Sequence, residues 1–461
     1  MNAEPSRTPV ESTDFNRRDF LKGSSAATLI AMLGGTPLVA PSALGQDKPA
    51  TTQSGTALKV AVIGCGAWGR EILNTLARLP SAEVVAVCDS YQAMLKRAKE
   101  PAPKAEALTD YKAILDNKDI PAVLIATPSH QHKDIVVAAL KAGKHVYCEA
   151  PLAHTIEDAR AIAAAAKGVT TQNFQPGLSL RSDPQRRFLL DFIRAGAAGK
   201  TAFARAQWHK KQSWRRTSPN EERERELNWR LAAATSPGLI GEISVHPLDN
   251  ISWYLDGRPT AVTGFGSTVL WNDGREVPDS ALAVFEFAKG AHLSCEVTLA
   301  NSFDSEYEMI YGSDATVMLR GNKAWMFKEV DAPLLGWEVY ARKDTFYKET
   351  GIALVANATK LAAQGDKPVE DAPYTNTPLF YALEAFIYNT DIIHTAVKDF
   401  VDNFGADDKA ALAEALAKAT INNKPAATWR DGFDATVMAL KGNEAVMKKT
   451  RVEIPASLFE V

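Results

Sequence analysis

Between residues 58 and 175 the apolar positions fall in short unbroken runs, and each run is followed by a stretch with helical spacing. Leu58-Lys59-Val60-Ala61-Val62-Ile63 is the first such run. Glu83 to Cys88, Ala122 to Ala126 and Lys144 to Cys148 repeat it. Continuous apolar runs of this length belong to strands covered on both faces. Helical patterns are expected from Arg70 to about Leu79, through Met94, Leu95 and Ala98 to a stop at Pro101 and Pro103, over Tyr111 to Leu115, and from Asp134 to Ala142 before Gly143. Strand and helix in regular succession predict a parallel sheet with helices on both faces.

Beyond Thr170 the pattern changes. Gln172-Asn173-Phe174 closes the first domain, and Asp183-Pro184 reads as the cap and first-turn proline of a helix that Gly196 and Gly199 end. Thr201 to Trp208 alternates as a strand. Strand patterns follow at Ala261 to Leu270, Ala281 to Phe287, His292 to Leu299, Glu306 to Tyr311, Thr316 to Leu319 and Ala324 to Phe327, the last two joined by the turn Arg320-Gly321-Asn322-Lys323. They predict an antiparallel meander. Arginine and glutamate mix from Glu221 to Glu226, the pattern of a solvated face. Helical patterns from Leu379 and Ala410 finish the chain. The expected fold class is α/β: a Rossmann doubly wound parallel sheet over residues 57–175, then an α+β domain with a large open, mostly antiparallel sheet and C-terminal helices over 176–461.

The first 56 residues stand outside this plan. Asn16-Arg17-Arg18-Asp19-Phe20-Leu21-Lys22 has the twin-arginine pattern, a modestly apolar segment runs from Ser24 to Ala40, and Ala43-Leu44-Gly45 is a small-residue cleavage site. Residues 1–45 therefore predict a signal peptide for the twin-arginine export machinery and a periplasmic or extracellular product, and 46–56 a mobile lead-in. No cysteine near the cleavage site supports a lipid anchor, and no later run is long and apolar enough to span a bilayer.

With 461 residues, 46% hydrophobic, the chain has material for two cores, and a net charge of −3 offers no footprint for nucleic acid. A small-molecule partner is expected. Cys65, Cys88, Cys148 and Cys295 lie in or beside strand patterns and read as small buried hydrophobes, with a Cys65–Cys88 bridge left open. His130 and His132 have a metal-like spacing but no accompanying cysteine or carboxylate cluster, so no metal is expected.

Chemistry enters at the strand ends. Gly64-Cys65-Gly66-Ala67-Trp68-Gly69 follows the first strand directly: Gly64 suits a tight turn, Gly66 a close pyrophosphate and Gly69 a helix packed on the strand. Asp89 ends the next strand at the spacing of an acid that binds the adenosine ribose hydroxyls. It repels a 2′-phosphate, and Ser90 and Tyr91 add no cation, so NAD is favoured over NADP. Gly64, Asp89, Thr127 and Glu149 all fall at carboxyl ends of strands, where such sheets bind ligands.

The glycine turn, Ala126-Thr127-Pro128-Ser129-His130-Gln131-His132, Ala142-Gly143-Lys144-His145-Val146 and Glu149-Ala150-Pro151 together resemble the Gfo/Idh/MocA family of glucose-fructose oxidoreductase and inositol dehydrogenase. The resemblance implies a cofactor site of Gly64, Gly66, Ala67, Trp68, Gly69, Asp89, Thr127, Pro128, His130, Glu149 and Ala150, with Glu149 on the nicotinamide ribose. It also implies a base: the family usually has a lysine in a Glu-Lys-Pro motif, and here Ala150 stands in its place. Lys210 and Lys211 are candidate replacements that read as solvated.

Gly241-Glu242-Ile243-Ser244-Val245-His246-Pro247-Leu248-Asp249 looks like the family's substrate-site helix. On one helix Glu242, His246 and Asp249 share a face. His246 is then the candidate acid or base, with Glu242 orienting it. Asn173, Trp229 and Arg230 are candidate substrate residues. The implied activity is oxidation of a sugar, polyol or related secondary alcohol with tightly held NAD, in a homo-oligomer. An NAD-dependent glycosidase working by transient oxidation at C3 and elimination is the alternative, and a non-catalytic NAD and sugar binder the third.

Overall fold

The computed structural model describes residues 57–336, 338, 341, 343–346, 349–354 and 374–461; the expected signal peptide and lead-in lie outside the described residues. The first sheet is built from β1 (Leu58–Ile63), β2 (Ala82–Cys88), β3 (Glu106–Leu108), β4 (Ala122–Ile125), β5 (His145–Cys148) and β6 (Phe174–Pro176), in the order β3-β2-β1-β4-β5-β6. Every pairing in it is parallel. Register sets Ile63 beside Cys88 on one side and Ile125 on the other, so the carboxyl ends of β1, β2 and β4 lie level and the residues after them share one edge. The crossovers are α1 (Ala67–Leu76), α2 (Gln92–Ala98), α3 (Lys112–Asp116), α4 (His132–Lys141) and α5 (Ile156–Gly168).

α1 begins at Ala67 rather than Arg70, directly behind the glycine turn. α5 was not legible in the sequence because its buried positions are Ala159, Ile162, Ala163 and Ala166, which contrast little with the alanines between them. Its start is well specified, since the Thr155 hydroxyl accepts the Asp158 N–H at 3.1 Å. β3 and β6 are three residues each, too short for a period.

The second domain opens with α6 (Pro184–Arg194), capped by Asp183 as expected, and β7 (Thr201–His209). The chain then forms α7 (Glu221–Leu227), α8 (Gly238–Glu242) and α9 (Val245–Leu255) before returning to the sheet. Strands β8 (Pro259–Ser267), β9 (Ser280–Phe287), β10 (His292–Thr298), β11 (Glu306–Gly312), β12 (Ala315–Arg320), β13 (Lys323–Lys328), β14 (Lys343–Phe346) and β15 (Glu349–Ala353) follow. With β16 (Arg451–Glu453) they make a ten-stranded sheet, order β14-β15-β13-β12-β11-β7-β10-β9-β8-β16.

The sheet is mostly antiparallel, but it is not one simple meander. β7 lies between β10 and β11, parallel to the first and antiparallel to the second. The long excursion after β7 removes the constraint that ties a hairpin to antiparallel pairing, so two meanders add to its two edges. β8 stops at Ser267, short of the expected Leu270. The Asp279 carboxylate accepts the N–H groups of Val269, Leu270 and Trp271 at 2.8–2.9 Å and turns the chain out of the sheet.

Three further helices, α10 (Pro378–Phe404), α11 (Lys409–Ala419) and α12 (Trp429–Lys448), complete the chain. Leu379, Leu383, Phe386 and Ile387 of α10 join the core of the first sheet with Val60, Val62, Leu124 and Tyr147, so this helix serves the cofactor domain although it lies far beyond it in sequence. α12 reaches both domains: Gly442 packs under Ile240 and Phe285, and the Thr436 hydroxyl accepts the Leu152 N–H at 2.9 Å. All four cysteines are buried and free. No helix among the described residues is long and apolar enough to cross a membrane.

The helix expected to carry Glu242, His246 and Asp249 is two helices. Residues 243 and 244 separate α8 from α9. Pro247 supplies the reason: in a continuous helix its ring would collide with the carbonyl of Ile243, four residues back, and it has no N–H to bond there. In the first turn of a new helix that proline costs little.

Candidate functional site

The glycine turn is held open by backbone geometry. Gly64 has φ +94°, and a side chain there would lie 2.6 Å from the backbone of Ala126; at Gly69 it would lie 1.9 Å from the Gly64 carbonyl. At Gly66 a side chain would meet nothing within 4 Å, so this residue borders free space. Ala67 and Trp68, the first residues of α1, are exposed beside it. Asp89 ties the turn to the second strand: its Oδ2 accepts the Cys65 N–H and its Oδ1 the Tyr91 N–H, both at 2.8 Å. The turn, the free N–H groups of the α1 start and a carboxylate at the next strand end fit a dinucleotide, with the pyrophosphate at the turn and the adenosine ribose beside Asp89.

Farther along the same edge, buried polar atoms lack partners. Thr127 Oγ1, His130 Nδ1 and Glu149 Oε1 form no hydrogen bond. Unsatisfied buried polar groups cost about 1–3 kcal/mol each, and a line of them at the ligand edge of a sheet marks where a bound molecule would supply the missing bonds. Pro128 leads into a 3-10 turn at Ser129–Gln131 that carries His130. His132 is structural: its ring nitrogens face the carbonyls of Thr127 at 2.9 Å and Pro151 at 3.2 Å, joining the loops after β4 and β5. Among the described residues no cluster of metal-ligating side chains occurs.

Glu149 is the most perturbed carboxyl on this edge. Burial pushes its carboxyl from 4.5 up to about 7, and the neighbouring Trp68 and Tyr147 side chains and the Ala150 N–H offset that only in part. Gly177 backs it, since a side chain at 177 would lie 2.4 Å from Glu149 Oε2. A carboxyl raised on folding stabilises the fold while protonated, so this contribution is lost as pH rises from 4.5 through about 7. The cofactor-free protein is therefore expected to lose roughly 3 kcal/mol from this group across that range. Glu149→Gln should remove that slope, read as the wild-type minus variant difference in urea stability at acid and alkaline pH. An unchanged slope would contradict the assignment.

The second domain presents a wall to this edge. Glu242 Oε1 accepts the Ser129 hydroxyl at 2.7 Å and Oε2 accepts Arg230 Nε at 2.9 Å. Arg230 in turn stacks 4.6 Å from the Trp229 ring and 5.6 Å from Trp214, while the His130 ring lies 5.8 Å from Trp229 and 6.0 Å from His154. Glu242 thus bridges the two domains through Ser129 and Arg230. It does not orient His246 as expected, because the break before α9 separates the two residues' faces.

His246 sits in the first turn of α9, half-buried, and forms no side-chain hydrogen bond with the described residues. Burial lowers its pKa to about 4, which leaves a neutral imidazole at pH 7. Asp249 is held by Arg181, whose Nε and Nη2 donate to its two oxygens at 2.9 and 2.7 Å; burial still pushes the carboxyl up to about 6. Arg181 also pairs with Asp431 at 3.0 Å and lies 4.8 Å over Trp253. Asp249 therefore has no oxygen without a guanidinium partner and anchors α9 through Arg181.

Asn173, expected at the substrate, is placed elsewhere. It precedes β6 and so lies at the amino end of the sheet, away from the ligand edge, where its side chain donates to Thr390 Oγ1 at 3.0 Å and its N–H to His145 Nδ1 at 2.9 Å. Lys210 and Lys211 are exposed. Arg181, Ser129, Trp214, His154 and Gly177 carried no sequence signal, being single residues in loops or 3-10 turns.

Residues 58–175 match a family described as an oxidoreductase family with an NAD-binding Rossmann fold, and residues 187–318 match the GFO/IDH/MocA C-terminal domain. The chain is 31% identical over 212 residues to levoglucosan dehydrogenase of Pseudarthrobacter phenanthrenivorans, a match over 41% of this chain and 52% of that protein. It is 32% identical over 206 residues to inositol 2-dehydrogenase of Pseudarthrobacter chlorophenolicus, over 44% and 56% of the two chains. A glycosyl hydrolase family 109 protein of Shewanella baltica is 28% identical over 231 residues, 44% of this chain and 50% of that one. The chain spans about half the length of the curated relatives it matches.

Among solved structures, an oxidoreductase domain protein from Kribbella flavida and levoglucosan dehydrogenase in complex with NADH each share the fold. Each has a TM-score of 0.63 at 21% identity over 87% of this chain and 100% of the other. The two family segments, adjacent and in the order the two sheets occupy, together take in just over half of the sequence. With a glycine turn, a strand-end acid and an open ligand edge in the first of them, the chain belongs to the Gfo/Idh/MocA family, and the cofactor of its Rossmann domain is NAD.

Proposed function

We propose that this protein is an NAD-dependent oxidoreductase that acts on a sugar, polyol or related secondary alcohol, with His246 as its acid–base group. One observation carries the reading: the ligand edge of the Rossmann sheet, with unsatisfied Thr127, His130 and Glu149, faces a wall of Trp229, Arg230 and Glu242. Aromatic faces beside guanidinium and carboxylate groups suit a polyhydroxylated molecule. NAD, when bound, supplies the acceptor for the hydrogen removed from carbon.

The chain must supply the rest. His246, neutral at pH 7, takes the hydroxyl proton; Arg230, 40% exposed at its side chain, offers donors to substrate oxygens while Glu242 fixes its plane. Arg181 and Asp249 hold α9 and so the imbalance left by Ala150 falls on His246 alone. The relatives named as levoglucosan and inositol dehydrogenases support the substrate class.

A second reading is favoured by Ala150 and by the family 109 relative: a glycosidase that cleaves without net change of NAD. The purified protein, loaded with NAD, separates the two. Free sugars and polyols should raise the near-ultraviolet absorbance of NADH, whereas release of nitrophenol from aryl glycosides with no NADH would support the hydrolase. Neither signal from a broad panel would leave a binding protein.

We also propose export by the twin-arginine route with the cofactor already held, from the pattern at Asn16 to Lys22. A homo-oligomer is supported by the second sheet, which exposes the paired Phe265 and Leu282 on β8 and β9, and Phe203 on β7.

A further inference from the structure

The connection between β7 and α8 crosses from the second domain onto the cofactor domain beside the glycine turn. Buried Asn228 fixes its course from two sides: Oδ1 accepts the Arg216 N–H at 2.6 Å and Nδ2 donates to the Arg216 carbonyl at 3.0 Å. α7 buries none of its residues, so its place is not set by a core. Glu224 pairs with Arg215, and Arg223 ties the helix to the cofactor domain, donating to the Ser90 carbonyl at 3.3 Å and lying 4.7 Å over the Tyr91 ring. Ser90 and Tyr91 directly follow Asp89, at the adenosine end of the site.

The charges around this crossing are unbalanced. Arg70 stands in the first turn of α1, which has no acidic residue, and its guanidinium donates to the Cys65 carbonyl at 3.0 Å inside the glycine turn. A cation there meets the positive end of the helix. Burial, and the like charges of Arg230, Arg70 and Arg97, hold Arg216 below the usual arginine range. Among the described residues Arg70, Arg97 and Arg216 form no ion pair, whereas Arg215, Arg223, Arg230 and Arg275 each have a carboxylate. These unpaired arginines beside the glycine turn leave guanidinium donors open to an anion such as a pyrophosphate.

We propose that residues 213–228 clamp the bound dinucleotide: Arg216 joins Arg70 in neutralising the pyrophosphate, and Arg223 latches the segment over the adenosine end by gripping Ser90 and Tyr91. The clamp rests on NAD occupying the first domain, and deepens that reading by assigning the second domain a share of cofactor binding. Release of NAD then requires Arg223 to let go, which gives the slow exchange that an exported enzyme needs. The charge run at Glu221 to Glu226 is in this view the latch rather than a plain solvated face.

The test uses the full chain, with binding of NAD, ADP and adenosine followed by tryptophan fluorescence and NAD release followed by stopped-flow displacement. Arg216→Ala is expected to weaken NAD and ADP by about tenfold or more and to leave adenosine unchanged, because only the first two carry the pyrophosphate. Arg216→Lys should restore most of the loss. Arg223→Ala should speed NAD release by about tenfold, as one cation–π contact and one hydrogen bond are removed. Melting curves of the cofactor-free variants that match wild type exclude misfolding. Wild-type affinity for ADP in Arg216→Ala, or wild-type release in Arg223→Ala, would overturn the clamp. A wild-type chain that binds neither NAD nor ADP would instead overturn the cofactor reading beneath it.

Discussion

Replacing His246 with asparagine is expected to lower turnover by about 10²- to 10⁴-fold while leaving NAD affinity unchanged. Asparagine keeps the size and polarity of the ring edge but accepts no proton at neutral pH. The effect should be this large because Ala150 offers no proton carrier and the carboxylates on either side of His246 are engaged: Glu242 with Ser129 and Arg230, Asp249 with Arg181. In the wild type the imidazole is neutral down to about pH 4, so its own titration does not limit activity near neutrality. A group with its pKa lowered on folding withholds stability only below its ordinary value, and activity through it should fail on the acid side. Equal turnover of the variant and wild type would remove His246 from the chemistry.

Arg181→Met should destabilise the fold by about 3–5 kcal/mol, the cost of leaving a buried carboxylate without its partner. Asp249 is 2% exposed, and Arg181 supplies both of its charged hydrogen bonds. The loss has a signature in pH. Without the guanidinium the carboxyl, already at about 6, titrates higher still, so the penalty is greatest at alkaline pH and shrinks as the carboxyl takes a proton. Urea midpoints of variant and wild type across this range read it directly. The double variant Arg181→Met with Asp249→Leu should recover much of the stability, since no charge is then buried. A loss that does not vary with pH would mean that Arg181 acts by packing on Trp253 alone. Turnover should fall with Arg181→Met as well, because the pair anchors the helix that presents His246.

These two results would separate roles that the sequence merges. Glu242, His246 and Asp249 share one spacing pattern, yet one bridges domains, one is the proposed acid–base group and one anchors a helix. The clamp adds a fourth position where tertiary contact changes the reading. Ser90 and Tyr91 bring no cation after Asp89, but Arg223 arrives there from a segment more than a hundred residues away.

What the sequence determined by itself is the part of this protein governed by local rules. Unbroken apolar runs of strand length that alternate with helical patterns fit a parallel sheet covered on both faces, so β1, β2, β4 and β5 and the helices between them were legible. Gly64 and Gly69 are needed where φ is positive or backbones nearly touch, so the turn and its cofactor were legible too. What only the tertiary structure decided is which polar side chains find each other. The place of β7 within its sheet, the return of α10 to the first core, and the Arg181–Asp249 and Ser129–Glu242–Arg230 links join residues with no common period. Pro247 broke a helix that spacing alone would have continued, and that break, through a missing N–H and a ring that cannot share space with a carbonyl, set His246 apart from its expected partners.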